Sequence, residues 1–308
     1  MSRKFQVKAV PSTSIEKQGH RLDCGPYMSG AMEARAIIEK HPNEHLQCLT
    51  QGGMTGLVNA GRITRLWVDD PGHGFRFLTS SSILDADLDN VSLIAKSVAR
   101  SNPSLLIEKS WTLITRSGTI GRMAYSTDVT HGLACSEDVL RVIPDSNRVK
   151  PGYLFAYLSS KFGVPLVVSG TYGSIITHLE PSHISELLVP RIGPVEEEAH
   201  ALIESSAKAH SESVVLRKQA GHLVNEICDF PEKLAVSARV FAYSQAISTQ
   251  VLKRLDATFH NPIAQEAEAL TNAANGISLT AAGVSGFESN RLKQIFVEEG
   301  YGTPVVSG

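Results

Sequence analysis

Residues Pro194–Phe230 read PVEEEAHALIESSAKAHSESVVLRKQAGHLVNEICDF. Pro194 stands where a first-turn proline belongs, Glu196, Glu197 and Glu198 lie on the positive end of the helix dipole, and Pro231 closes the segment. Alternating steps of four and three from Val195 pick out Ala199, Leu202, Ser206, Ala209, Ser213, Leu216, Ala220, Leu223, Ile227 and Phe230. Nine of these eleven positions are apolar, so a strip of period 3.5 runs the full length, the mark of a coiled-coil seam. At 1.5 Å per residue the helix spans about 55 Å, longer than a small domain needs and well above a usual helix. Three alanines and two serines keep the strip thin. It therefore needs a partner helix, and close antiparallel pairing suits side chains this small.

The flanks of this helix repeat. Arg21-Leu22-Asp23 returns as Arg254-Leu255-Asp256, an offset of 233. The run Arg62-Ile63-Thr64-Arg65-Leu66-Trp67-Val68-Asp69-Asp70 answers to Arg291-Leu292-Lys293-Gln294-Ile295-Phe296-Val297-Glu298-Glu299, offset 229. Gly72-His73-Gly74 answers to Gly300-Tyr301-Gly302, offset 228. Three ordered matches at a nearly constant offset indicate a divergent duplication. The chain thus reads as one complete unit, a long helix and the opening of a second unit that stops at Gly308.

With 308 residues and 42% hydrophobic content there is material for one large core and a partial second one. No run of eighteen apolar residues occurs and the first residues lack an apolar signal region, so a cytoplasmic protein with no membrane contact is expected. Cys24, Cys48, Cys135 and Cys228 are scattered, with no Cys-x-x-Cys, and are expected as reduced thiols rather than metal ligands. The formal charge is −2, but 195–230 holds seven acids against Lys208, Arg217 and Lys218, a net of −4, which leaves +2 on the rest. That balance permits nucleic-acid binding without demanding it.

Along the chain, residues 1–20 read as lead-in. Ala31–Lys40 has helical spacing, Ile63–Val68 alternates like a strand, and Phe75–Leu78 is a second apolar piece after the glycine turn at 72–74. Thr79-Ser80-Ser81-Ser82 is expected to cap a short segment from Ile83. Asp85, Asp87 and Asp89 lack the glycine and closing glutamate of a calcium loop and read as acids early in a helix. Trp111–Thr115, Arg122–Tyr125 and Val139–Ile143 read as strands, the first two joined by a turn at 116–121. Pro151-Gly152 opens a helix through Lys161, Val164–Val168 is a buried apolar run, and His183–Leu187 is a short helix. The fold class is α+β.

The succession Ser117-Gly118-Thr119-Ile120-Gly121, then Pro151-Gly152-Tyr153-Leu154-Phe155-Ala156-Tyr157-Leu158-Ser159-Ser160, then Gly170-Thr171-Tyr172-Gly173-Ser174-Ile175-Ile176-Thr177-His178-Leu179, then Leu187-Leu188-Val189-Pro190 and a long helix resembles the DNA-specificity subunits of type I restriction–modification systems. Their order, with the duplication around a coiled-coil helix, covers residues 21 to 308. The resemblance implies a first target recognition domain at 21–191, a spacer helix at 194–230, a connector at 231–253 and the start of a second recognition domain at 254–308. It implies two recognition domains per subunit, each reading half of a bipartite site, held apart by antiparallel helices. It implies no catalysis in this chain: methyltransferase subunits and a motor–nuclease subunit would dock on it, carrying S-adenosylmethionine, ATP and magnesium. Set against that pattern, residues 254–308 are expected to supply only the opening of the second domain, without the second helix that would pair antiparallel with the spacer helix.

The residues agree that catalysis lies elsewhere. An amino-methyltransferase needs an Asn/Asp-Pro-Pro-aromatic loop, and Asp70-Pro71, Asn102-Pro103 and Asn261-Pro262 are followed by Gly72, Ser104 and Ile263. Neither a Gly-x-x-x-x-Gly-Lys loop nor a Glu-x-Lys nuclease pattern occurs. The turn Ser117–Gly121 reads first as a tight connection between strands and second as a phosphate cradle. Phosphate and base contacts need cations, amides and hydroxyls in loops. The candidates for double-stranded DNA are Arg65, His73, Arg76, Thr79, Ser80, Ser81, Lys109, Arg116, Ser117, Thr119, Arg122, Thr171, Tyr172 and Ser174. Leu202, Leu216, Leu223 and Ile227 are the expected helix-pairing residues. Two alternatives stand beside a specificity subunit: a half-subunit that homodimerises through the long helix to read an interrupted palindrome, and a truncated decoy that occupies partners.

Overall fold

The computed structural model describes residues 7–17, 20, 22, 24–169, 178–230 and 260–286. The chain divides into two units, Met1–Lys218 and Gln219–Gly308. The first is a mixed α and β body that ends in the long helix.

Its chain order begins α1 (Ser12–Lys17), α2 (Gly25–Met28), α3 (Ala31–Ile38), β1 (Asn43–His45), α4 (Leu46–Leu49) and β2 (Leu57–Val58). Next come β3 (Trp67–Val68), β4 (Gly74–Leu78), β5 (Leu93–Ala95), α5 (Lys96–Ser101), β6 (Thr112–Thr115), β7 (Met123–Tyr125), β8 (Ala134–Cys135) and β9 (Val139–Val142). It closes with α6 (Pro151–Leu158), α7 (Gly163–Ser169), α8 (Pro181–Ser185), β10 (Leu188–Pro190) and α9 (Pro194–Ile227). Two four-stranded sheets have the orders β2-β9-β6-β7 and β3-β5-β4-β8, and β1 pairs with β10. All ladders are antiparallel except β4 with β8.

β6 and β9 are buried along their whole length because both faces are covered. Period-two alternation sends Ile114, Leu140 and Val142 into the main core, against α3, α6 and α7. Leu113 and Val139 go the other way, to a second core with Leu78, Ile83, Leu88, Ile107 and Cys135. Arg141 shares the face of Val139 and is completely buried. Its guanidinium donates to the carbonyls of Ser136 (3.0 Å), Val139 (2.6 Å), Leu105 (3.4 Å) and Cys135. Burial holds the Arg141 pKa below its usual value and pushes the Cys135 thiol up to about 11.

Several expectations are corrected. Only Trp67 and Val68 of the Ile63–Val68 run enter a ladder. The apolar run at 164–168, expected as buried, does bury Leu166 and Val167 in the main core, and it does so as a helix, α7. The short segment expected to be capped by Thr79–Ser82 is a 3-10 turn at Ser82–Leu84, entered without a side-chain cap bond from Ser81, while Thr79 N–H donates to Ser82 Oγ (2.8 Å). The acids at 85, 87 and 89 therefore lie in a loop, not in a helix.

α9 runs for 34 residues and ends in a left-handed Asp229, φ +51°, instead of continuing to Phe230. Its start is fixed by Glu196, whose buried carboxylate accepts from Ile192 N–H (2.8 Å) and from Arg191 Nε (3.1 Å) and Nη2 (3.1 Å). In the second unit, α10 (Pro262–Ala273) is capped by Asn261, whose side chain accepts from Ile263 N–H at 3.0 Å. The expected connector at 231–253 and the repeats at Arg254–Asp256, Arg291–Glu299 and Gly300–Gly302 lie outside the described residues. Among the described residues no helix is long and apolar enough to cross a membrane.

Candidate nucleic-acid interface

Three of the candidates converge on one turn, Glu137-Asp138, between β8 and β9. Arg65 reaches Glu137 Oε1 (3.1 Å) and Asp138 (3.9 Å), and its guanidinium stands 5.4 Å from the ring centre of Phe77. Ser117 donates to Asp138 Oδ1 at 2.7 Å. Arg116 donates to the carbonyls of Leu179 (3.0 Å) and Glu137 (3.4 Å) and pairs with Glu180. Only 12% of its side chain is exposed. Arg116 thus ties the β6–β7 hairpin to the segment entering α8, and its donors are occupied by the protein.

The other side of the same turn carries Thr119 and Arg122. Thr115 Oγ1 donates to Thr119 O (2.6 Å) and accepts from Arg122 N–H (3.0 Å), which closes a tight loop. Gly118 and Gly121 take φ +70° and +85°, and a Cβ on Gly121 would sit 2.6 Å from Val168 Cγ2. Thr119 and Arg122 are exposed, and among the described residues the Arg122 guanidinium has no partner. At the far end of β7, Tyr125 donates to Glu204 of α9, and burial together with Glu204 raises its pKa.

The remaining candidates are dispersed. His73 pairs with Asp70 (2.9 Å) and Arg76 with Asp89 (2.7 Å). The hydroxyls of Thr79 and Ser81 bond each other at 2.8 Å, and Ser80 follows Thr79 in that turn, half-buried. Lys109 pairs with Asp128 beside a cleft of about 310 Å³ lined by Gln51, Trp111 and Asn147. Thr171, Tyr172 and Ser174 lie outside the described residues. Among the described residues no group of three or more His, Cys, Asp or Glu side chains is placed to hold a metal. Leu202, Leu216, Leu223 and Ile227 are 66%, 55%, 57% and 82% exposed, whereas Ala199 of the same predicted strip packs against the main core.

No family profile and no curated protein matches the chain. Among solved structures, the chain is similar to parts of chains from type I restriction–modification systems. One is the S subunit from M. genitalium, with TM-score 0.40 and 12% identity over 61% of this chain and 43% of that one. Another chain, solved in work on complex assembly and conformational transition of the type I R-M system, has TM-score 0.40 and 9% identity over 72% and 55%. The HsdS subunit from Thermoanaerobacter tengcongensis has TM-score 0.36 and 11% identity over 68% and 51%. The present chain spans about half the length of these solved chains.

Sequence reading missed the acids that organise the cluster. Glu137 and Asp138 collect Arg65, Arg116 and Ser117 across separations of up to 72 residues, a pairing no local signal carries. It also passed over Trp67, which packs edge-on against Phe77 yet stays 48% exposed beside Arg65.

Proposed function

We propose that this chain is a non-catalytic DNA-specificity subunit of the type I restriction–modification kind. The first unit reads a few base pairs of double-stranded DNA. α9 then holds a second reader at a fixed distance. Methyltransferase subunits, and a motor–nuclease subunit for cleavage, would bring the chemistry together with S-adenosylmethionine, ATP and magnesium, in the cytoplasm.

The observation that carries this reading is the split character of α9. One face, through Ala199, Ile203, Ala207, Ser211 and Val214, is partly buried. The other keeps Leu202, Leu216 and Leu223 exposed at heptad spacing. Water-exposed leucines at every second or first heptad cost stability unless another helix covers them. A helix that leans on its own domain and offers a seam on its other side suits a spacer between two readers. Arg122 and Thr119, open at the hairpin tip, suit phosphate contact.

The test is co-expression with a type I methyltransferase subunit and mapping of methylated adenines in host DNA. A new motif is expected. Its absence, with both proteins soluble and associated, sinks the reading and leaves the decoy. The same exposed seam favours one variant of the proposal, a homodimer paired through α9. An interrupted palindrome as the motif, and a concentration-dependent dimer that Leu216→Lys abolishes, are its expected signs; a monomer at all concentrations rejects it.

A further inference from the structure

α9 is fastened to the first unit at two stations of different character. The first is packed: His200 Nδ1 accepts from Gly152 N–H at 3.1 Å, Tyr125 donates to Glu204, and Ala199 lies against the main core. A Cβ on Gly152 would meet His200 O and Ile203 Cβ at 3.0 Å, so helix and domain touch closely here. The second station begins thirteen residues past Glu204, about 20 Å along the axis. There Arg217 donates to the Ala86 carbonyl at 2.9 Å and stands 3.6 Å from Asp87. Lys218 lies 3.1 Å from Asp89 Oδ1, which also takes Arg76 at 2.7 Å. Asp87 Oδ1 accepts from Asp89 N–H at 2.9 Å, so the two acids shape the loop that presents them.

Between the stations the helix offers only Ala207, Ser211 and Val214, a narrow strip with little apolar area. Charge, rather than packing, therefore decides whether the far end of this segment lies on the domain. Each half-exposed pair is weak alone, but Asp89 shares two cations and Arg217 adds a carbonyl bond, so the contacts form one network. Salt screens such a network, whereas it leaves the packed station intact. A domain held at one station can pivot on the helix; two stations remove that freedom.

We propose that the Asp87–Asp89 loop is an electrostatic clamp that fixes the angle of the first unit on α9 and thereby the register between half-sites. The clamp itself rests on geometry alone, and its effect on register rests on the function proposed above.

The test compares D87N/D89N, R217Q/K218Q and the four-fold variant in the full chain, first by backbone hydrogen exchange over 84–90 and 211–218. At low salt each pair is expected to speed exchange in both segments at least three-fold, and the four-fold variant no further, since either pair alone opens the same network. Sodium chloride at 0.5 M should do the same to the native chain. Unchanged exchange, or effects that simply multiply, overturns the clamp. The second readout is the methylated motif in the co-expression assay. The half-site bases should stay the same while one permitted spacing becomes several. A single unchanged spacing in a variant whose exchange has risen overturns the link to register. No motif from the native chain rejects the functional reading and the register claim with it, while hydrogen exchange still decides the clamp.

Discussion

Arg116 and Arg122 flank one short turn, six residues apart, and have opposite fates. Arg116 is nearly buried and spends its donors on Glu180 and on the carbonyls of Leu179 and Glu137. Arg122 is exposed and, among the described residues, its guanidinium has no partner. The difference arises on the two sides of that turn: Glu137 and Glu180 gather around Arg116, whereas none of the described residues pairs with the guanidinium of Arg122. A basic residue beside a turn thus serves either to hold the loop or to meet an anion, and residue type alone does not tell the two apart. Arg141 extends the series to its limit, a fully buried cation whose two terminal nitrogens donate to four backbone carbonyls.

This ordering can be tested from its buried end outward. Arg141→Met removes four donors and leaves buried carbonyls unmatched, so unfolding by urea should show a loss of about 3 kcal/mol. A loss under about 1 kcal/mol would mean the domain relaxes around the site. Arg116→Ala should cost about 2 kcal/mol in the same titration, because Glu180 loses its partner and the turn loses its tie to α8. Arg122→Ala should leave the urea midpoint within about 0.5 kcal/mol of native. It should instead weaken DNA binding and lower the salt slope by about one, measured by fluorescence anisotropy at several salt concentrations. Equal stability losses at 116 and 122 would erase the contrast.

The smallest effect concerns pH. At Asp89, burial works to raise the pKa, but Lys218, Arg76 and Arg217 outweigh it and hold the carboxyl below its ordinary value. A depressed folded-state pKa contributes stability that is present above the unfolded value of about 3.9 and lost as pH falls through the lower folded value. Half-exposed as it is, this contribution stays under about 1 kcal/mol. Exchange over 84–90 should therefore be insensitive to salt-bridge protonation from pH 8 to 5, after correction for intrinsic rates, and accelerate only below about pH 4. Acceleration near pH 6 would point to a histidine instead.

The long helix was legible because Pro194, three glutamates and a 3.5-residue apolar period speak locally and together. β6 and β9 were legible because Thr112–Thr115 and Val139–Val142 carry β-branched and apolar residues between turn signals. Gly163–Ser169 was not, since seven residues rich in apolar side chains fit a buried strand or a helix equally well until α3 and α6 pack on them. Ile63–Arg65 alternates like a strand but lies outside the ladder, since β5 ends at Ala95, whose N–H donates to the Leu66 carbonyl at 2.8 Å, and the chain turns there into α5. The candidate interface was less legible than the fold. Residue type picked out Arg65, Arg116 and Ser117, but Glu137 and Asp138 that they meet stand 21 to 72 positions away and only folding brings them together.

The most direct measurement removes one heptad, Gln219–Asn225, from α9 beyond the clamp and maps methylated adenines on co-expression. Seven residues shorten the helix by about 10 Å, close to the rise of three base pairs. If the first unit reads bases and the helix measures distance, the half-site bases remain and the gap between them changes. Altered half-site bases, or an unchanged gap, would contradict the account.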